Sequence, residues 1–240
     1  DLCADAYRAM LGADVAFVNG GGVRANIAAG DITYGDIVSV HPFGNEACLV
    51  KVTGQQIKDA LELGASAYPG ESGGFLQVSG LTYTIDATIP SSVVRDEKNM
   101  FVKVDGAYRV TDIQVGGQPL DVNKTYTLAS HNYMLKSQGD GYAMFGTDNV
   151  EIIKDCVMID NQVLINYIVE ELNGTVGQEY AAPAGRITIV TAPAEPEQPV
   201  EPAKPAEPEK PAAESGTYTV VAGDCLWSIA QKTYGTGTKW

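Results

Sequence analysis

The chain has 240 residues, 45% of them hydrophobic, and a formal net charge of -14. That length can bury one full core and leave something smaller beside it. An acidic surface offers no broad basic field for nucleic acid or an anionic membrane, so any anion must be bound locally, and no apolar run reaches the roughly 18 residues of a membrane span.

The opening residues, DLCADAYRAM, set Leu2, Ala6, Ala9 and Met10 at helical spacing and read as the middle of an amphipathic helix, so this end reads as cut. DVAFV (14–18) is a short apolar strand that runs into Asn19-Gly20-Gly21-Gly22, with Arg24 just beyond. Successive backbone N–H groups, an amide and a guanidinium fork form a competent anion site, and a plain tight turn explains the glycines equally well. The spacing fits neither the Walker loop nor the dinucleotide fingerprint. HPFGN (41–45) puts Phe43 in a turn, EACLVKV (46–52) reads as a strand, and TGQQIKDALELG (53–64) reads as a helix. That helix opens on a Thr53/Gln56 capping box and carries Ile57, Ala60, Leu61 and Gly64 on one face.

Further along, FLQVSGLTYTID (75–86) reads as one strand, and DIQVGGQPL (112–120) as a hairpin turning at Gly116-Gly117. TYTLAS (125–130) is a strand leading into a polar loop that carries Tyr133 and Asp140. DNQVLINYIVEELNG (160–174) reads as a helix capped by Asp160 and stopped by Asn173-Gly174, with Val163, Leu164, Tyr167 and Ile168 inward. GRITIV (185–190) closes the domain as a strand. Strands mixed with helices but without a regular βαβ beat imply an α+β fold around a mixed sheet with flanking helices.

A spacer follows. Prolines at 193, 196, 199, 202, 205, 208 and 211 repeat every third residue, which is the period of a polyproline II rod, and interleaved glutamates keep the rod solvated. The organisation expected is therefore a domain at 1–192, a Pro/Glu-rich linker at 193–216 and a short segment at 217–240. The last segment, TYTVVAGDCLWSIAQKTYG and onward, reads as a strand, a turn and a helix capped by Asp224; it is too short for a core of its own and so reads as truncated. Cysteines at 3, 48, 156 and 225 make no CxxC pair and read as buried or half-buried free thiols, which leave the compartment open. His41 and His131 stand far apart in sequence and read as structural, not as metal ligands.

Two loop aromatics can sandwich a flat ring, a loop carboxylate can accept from sugar hydroxyls, and an anion loop can hold phosphate. Taken singly, each has an ordinary structural explanation; together they are the parts of a nucleotide site. NGGGVRANIAAGDITYGDI, PFGN, GGFLQVSGL and GDGY, in that order, resemble the C-terminal substrate-recognition domain of the 5'-nucleotidase / UDP-sugar hydrolase / 2',3'-cyclic phosphodiesterase family over residues 1–191. The resemblance implies Asn19 and Arg24 as phosphate ligands, Phe43 and Tyr133 as the base clamp, Asp140 as acceptor of the ribose hydroxyls, and Asn45 and Gly74 at the base edge. The sequence departs from the family in having Tyr133 where Phe is usual and one residue more before GDG. Segment 217–240 resembles the first half of a LysM module, with Cys225 where threonine is usual.

The resemblance further implies that hydrolysis belongs to a dinuclear divalent-metal centre in an N-terminal metallophosphoesterase domain in cis. Residues 1–240 carry no DxH, NHE or HxH motif, so they are expected to bind no cofactor and to be inactive alone. Two readings of function stay open. One is the nucleotide-recognition part of an exported 5'-nucleotidase, secreted or held on the bacterial cell wall through LysM and peptidoglycan. The alternative is a non-catalytic, wall-associated nucleotide-binding or adhesion module. Sugar nucleotides and cyclic phosphates suit the same pocket.

Overall fold

The computed structural model of the protein describes residues 1–191; the linker and the LysM-like segment expected from sequence lie outside them. In chain order the elements are α1 (Leu2–Leu11), β1 (Val15–Asn19), α2 (Tyr34–Val40), β2 (Glu46–Thr53), α3 (Gly54–Ala65), β3 (Leu76–Ser79), β4 (Leu81–Asp86), β5 (Val93–Arg95), β6 (Phe101–Val104), β7 (Val110–Val115), β8 (Gln118–Pro119), β9 (Thr125–His131), α4 (Asn132–Leu135), β10 (Glu151–Ile159), α5 (Asp160–Asn166) and β11 (Ile187–Val190). A five-stranded mixed sheet runs β10-β2-β9-β1-β3, a four-stranded sheet runs β11-β4-β7-β8, and β5 pairs with β6 alone.

The α+β expectation holds, and the central strand shows how the sheet is buried. All five residues of β1 are buried. Strand geometry points alternate side chains to opposite faces, and Val15 and Phe17 enter one apolar cluster while Ala16 and Val18 enter another. The first cluster contains Ile57 and Leu61 of α3 with Tyr83, Ile85 and Val110 of the second sheet. The second contains Ala4, Tyr7 and Leu11 of α1, Ile37 and Val40 of α2, and Val163 and Leu164 of α5. The large sheet is thus covered on both faces.

Local signals account for most boundaries. Thr53 and Gln56 form the capping box read from sequence. Gly12 ends α1 in a left-handed conformation, its N–H reaching the Arg8 and Ala9 carbonyls. The Gly116-Gly117 turn joins β7 to β8, with both glycines at positive φ as a two-residue hairpin requires.

Several expectations are corrected. Residues 75–86 are two strands in different sheets: Gly80, at φ +78°, turns the chain between them. A Cβ there would lie 2.1 Å from the Asp14 carbonyl oxygen, so only glycine permits the switch. Asp160 is not the N-cap of α5; Ile159 is, and Asp160 instead uses its carboxylate on Asn161 N–H and Asn45 N–H. The helix also does not run on evenly, because a π turn occupies Tyr167–Glu171. Helix α2, with its Thr33/Asp36 capping box, and strands β5, β6 and β10 were not legible in sequence.

Candidate nucleotide site

Strand register brings the predicted residues to one end of the large sheet. β1 runs parallel to β9 with Ala16 opposite Ala129, so the chain leaves both strands on the same side, at Asn19 and at His131. β2 is antiparallel to β9 with Ala47 opposite His131, so the turn carrying Phe43 and Asn45 enters beside the loop carrying Tyr133. β3 is antiparallel to β1 with Leu76 opposite Asn19, which adds Gly74 to the same rim. The carboxyl ends of parallel neighbours in a sheet are a usual place for ligands.

The glycine loop is a 3-10 turn over Gly20–Gly22, and its backbone donors are occupied. Gly20 N–H reaches the Phe75 carbonyl at 2.8 Å, Gly21 N–H the Gly73 carbonyl at 2.8 Å, Val23 N–H the Gly20 carbonyl at 3.2 Å, and Arg24 N–H the Val40 carbonyl at 2.9 Å. This corrects the picture of a row of free N–H groups gripping an anion. The glycines serve close approach: a Cβ on Gly21 would meet Gly73 Cα at 3.2 Å, and one on Gly22 would meet Asn19 Oδ1 at 2.6 Å. The donors left to an anion are side chains.

Asn19 is buried and stands at the centre of a hydrogen-bonded chain. Its Nδ2 donates to Asp140 Oδ2 at 2.6 Å, and its Oδ1 lies 3.0 Å from His131 Nε2. Because Nδ2 is the donor towards the carboxylate, Oδ1 must accept, so the His131 proton sits on Nε2. Tyr133 hydroxyl donates to Asp140 Oδ1 at 3.0 Å and accepts from Asp140 N–H at 3.2 Å. Asp140 is thereby held by two side chains in a left-handed conformation, φ 56°. Burial, with repulsion from His41 added, pulls the His131 pKa down to about 4, so His131 is neutral at pH 7. Burial and the Asp140 carboxylate raise the pKa of Tyr133.

The two aromatics expected to form the clamp are both solvent-facing: Phe43 is 60% and Tyr133 40% exposed. The Tyr133 ring packs on Gly139, where a Cβ would lie 2.2 Å from the ring, and it tilts at 34° over His131 at a centroid distance of 6.0 Å. Arg24 is exposed, with its guanidinium carbon 6.0 Å from the Phe43 ring centroid and a long 3.4 Å contact from Nη1 to the Gly21 carbonyl. No acidic side chain is among its partners in the described residues. Asn45 is fixed through its backbone by Asp160, its N–H donating to Oδ2 at 3.2 Å and its carbonyl accepting from Asp160 N–H at 2.8 Å. Gly74 accepts from the Tyr142 hydroxyl and lies against Asp140, whose Cβ is 3.2 Å from where a Gly74 Cβ would be.

A polar cleft of about 460 Å³ is lined by Ser72, Gly74, Tyr133 and Asp140. Across it, Arg95 and Lys98 come from the β5–β6 hairpin, which sequence reasoning did not find. His131 was likewise read as a strand end and nothing more; its place one residue before Asn132-Tyr133 carries no signal of the contact to Asn19. A larger groove of about 950 Å³ lies elsewhere, lined largely by apolar residues such as Leu2, Ile27, Ile37 and Ile168 and containing none of the predicted site residues.

The described residues do not fit a dinuclear phosphoesterase centre. Their group of metal-capable donors is Cys48, Asp155 and Cys156, not the carboxylate, imidazole and amide set such a pair needs. His41 and His131 are both buried, and neither belongs to that donor group.

Residues 1–147 match the family described as 5'-nucleotidase, C-terminal domain. A 5'-nucleotidase of Vibrio cholerae is 34% identical over 188 residues, covering 78% of this chain and 29% of the relative. Protein UshA of Escherichia coli is 34% identical over 157 residues, covering 65% of this chain and 24% of its own length. Among solved structures, that of a 5'-nucleotidase precursor from Thermus thermophilus superposes with a TM-score of 0.62 and 30% identity, over 80% of this chain and 35% of that one.

Proposed function

Since the chain belongs to the 5'-nucleotidase C-terminal domain family, we propose that residues 1–191 hold a nucleoside monophosphate or related nucleotide for hydrolysis by a metal centre outside them. The observation that carries this reading is the meeting, at one sheet end, of a cation without an acidic partner among the described residues, beside an exposed aromatic, with a pinned carboxylate beside a second exposed aromatic. On this reading Arg24 takes the phosphate, Phe43 and Tyr133 stack the base, Asp140 accepts from the ribose hydroxyls, and Asn45 and Gly74 meet the base edge. Asn19 donates to Asp140 here, so its service to phosphate requires its amide to turn or to share; its first task is to aim the carboxylate.

The chain spans 29% of the Vibrio cholerae relative, and on the same reading the remainder of such a protein includes an N-terminal metallophosphoesterase domain with its divalent metal pair. Export, a proline-rich spacer and a LysM contact to peptidoglycan complete the proposal, resting on the 193–240 sequence alone.

The test is Arg24→Ala. Loss of a charge-assisted contact lowers affinity for a nucleoside monophosphate by about 1.5 to 3 kcal/mol, roughly 10- to 150-fold. Affinity for the nucleoside, which has no phosphate, stays unchanged. Equal losses for the two ligands in calorimetric titrations would remove Arg24 from the phosphate.

A further inference from the structure

The thiols read from sequence as separate meet in the fold. Cys48, on β2, and Cys156, on β10, are 108 positions apart in the chain, yet their sulfurs lie 3.8 Å from each other. The pairing of β10 with β2 is interrupted there, running from Lys154 opposite Leu49 to Met158 opposite Ala47, so Asp155, Cys156 and Val157 bulge opposite Cys48. Cys156 takes φ 47°, a conformation uncommon outside glycine, asparagine and aspartate, and its N–H points at Cys48 Sγ at 3.4 Å. The bulge turns a side chain that would otherwise follow the strand alternation towards its neighbour.

We propose that Cys48 and Cys156 form an intramolecular disulfide that staples the edge strand β10 to β2. Closing the pair takes the sulfurs from 3.8 Å to a bond of about 2.0 Å. Cys48 is fully buried and Cys156 half-buried, so Cys156 is the thiol that meets an external oxidant and Cys48 the one that resolves the adduct. With oxidised glutathione the steps balance. Cys156, having lost its proton to solvent, attacks one glutathione sulfur and expels a glutathione thiolate. Cys48 then loses its proton, attacks Cys156 Sγ and expels the second glutathione. Two protein thiols are oxidised and one glutathione disulfide is reduced to two thiols.

A metal is the rival use of these atoms, since Cys48, Asp155 and Cys156 offer three donors within 4.8 Å. Lys136 opposes it: its ammonium lies 2.7 Å from Asp155 Oδ1 and 3.7 Å from Cys156 Sγ, so a cation already fills that side. Burial and the neighbouring acceptors push the Cys156 thiol up to about 12, and burial raises Cys48. High thiol pKa values make exchange slow, and they leave the reduced pair without thiolate stabilisation, which favours a durable disulfide over a labile one. The staple would brace the nucleotide rim from two sides. β10 leads into Asp160, which fixes Asn45, and Lys136, paired with Asp155, directly follows the helix that bears Tyr133.

The experiment equilibrates the full chain with oxidised glutathione at mildly alkaline pH, alkylates it, digests it without reductant and maps the peptides by mass spectrometry. The expected result is a Cys48–Cys156 linked peptide and a Tm about 5 to 15 °C above that of the reduced chain. In Cys156→Ser, or in Cys156→Ala should the first variant fail to fold by circular dichroism, oxidation leaves Tm unchanged. The proposal is overturned if both thiols remain alkylatable, if glutathione stays on Cys156 unresolved, or if either sulfur links instead to Cys3 or Cys225. It is equally overturned if zinc ion alone, without oxidant, shields both thiols from alkylation.

Discussion

Replacing Asp140 with asparagine separates a ribose acceptor from a residue that only shapes a turn. The backbone is no obstacle, because asparagine tolerates the left-handed conformation that Asp140 holds at φ 56°. The local contacts also survive: an asparagine oxygen still accepts from Asn19 Nδ2, and its amide can donate to the Tyr133 hydroxyl, which reverses its role. What is lost is charge. Two charge-assisted bonds become neutral ones, which costs the fold about 1 to 2 kcal/mol, and a ligand diol meets a neutral acceptor in place of a carboxylate, a further loss of about 1 to 2 kcal/mol in binding. That is roughly 5- to 30-fold in Kd, and it falls equally on nucleoside and nucleoside monophosphate because both carry the ribose. Isothermal titration of the two ligands against the full chain measures it, with urea denaturation reporting stability. If Asp140→Asn destabilises the chain as stated yet leaves both affinities within twofold of the parent, Asp140 does not touch ribose.

Three further outcomes follow from burial and backbone geometry. His131 has a folded pKa near 4, below its unfolded value of about 6.5, so the native state binds fewer protons than the unfolded one between those values; stability present above pH 6.5 falls by about 3 kcal/mol as pH drops through 4. Urea titrations at stepped pH should show this slope, and His131→Gln, which can still donate to Asn19, should flatten it. Gly80→Ala meets both an unfavourable φ of +78° and the Asp14 carbonyl at 2.1 Å, and should lose about 3 kcal/mol or more. Gly116→Ala, with φ +56° but nothing within 4 Å, should lose only about 1 to 2 kcal/mol in the same denaturation assay.

Much of the fold was legible where the cause is local. The Thr53/Gln56 box, the apolar face of α3, the Gly116-Gly117 hairpin and the strands that became β1, β2, β9 and β11 all follow from capping, periodicity and turn chemistry within a few residues. β10 escaped because it is an edge strand broken by a bulge, with exposed residues alternating irregularly along it. The 75–86 run escaped division because Gly80 is needed for an approach to Asp14, a residue far away in sequence. The glycine loop shows the same limit: its composition suits an anion grip and a tight turn alike, and only the carbonyls of Gly73 and Phe75, brought in by β3, show where Gly20 and Gly21 send their N–H groups.

The mixed α+β alternation and the every-third-residue prolines of 193–211 are legible in the sequence, and the ordered motifs, through the resemblance they carry, name the side chains from Asn19 to Asp140 proposed for a nucleotide site. Those depend on residue identity and short spacing, which a chain carries whether or not it is folded. Only the tertiary structure shows that strand register gathers that set at one sheet end, that His131 and Tyr133 pin the Asn19–Asp140 pair, that Arg24 has no acidic partner among the described residues, and that Cys48 faces Cys156. Each is a contact between residues far apart in the chain, fixed by which strands pair and by which side chain a buried hydrogen bond leaves available, and no local pattern encodes that choice.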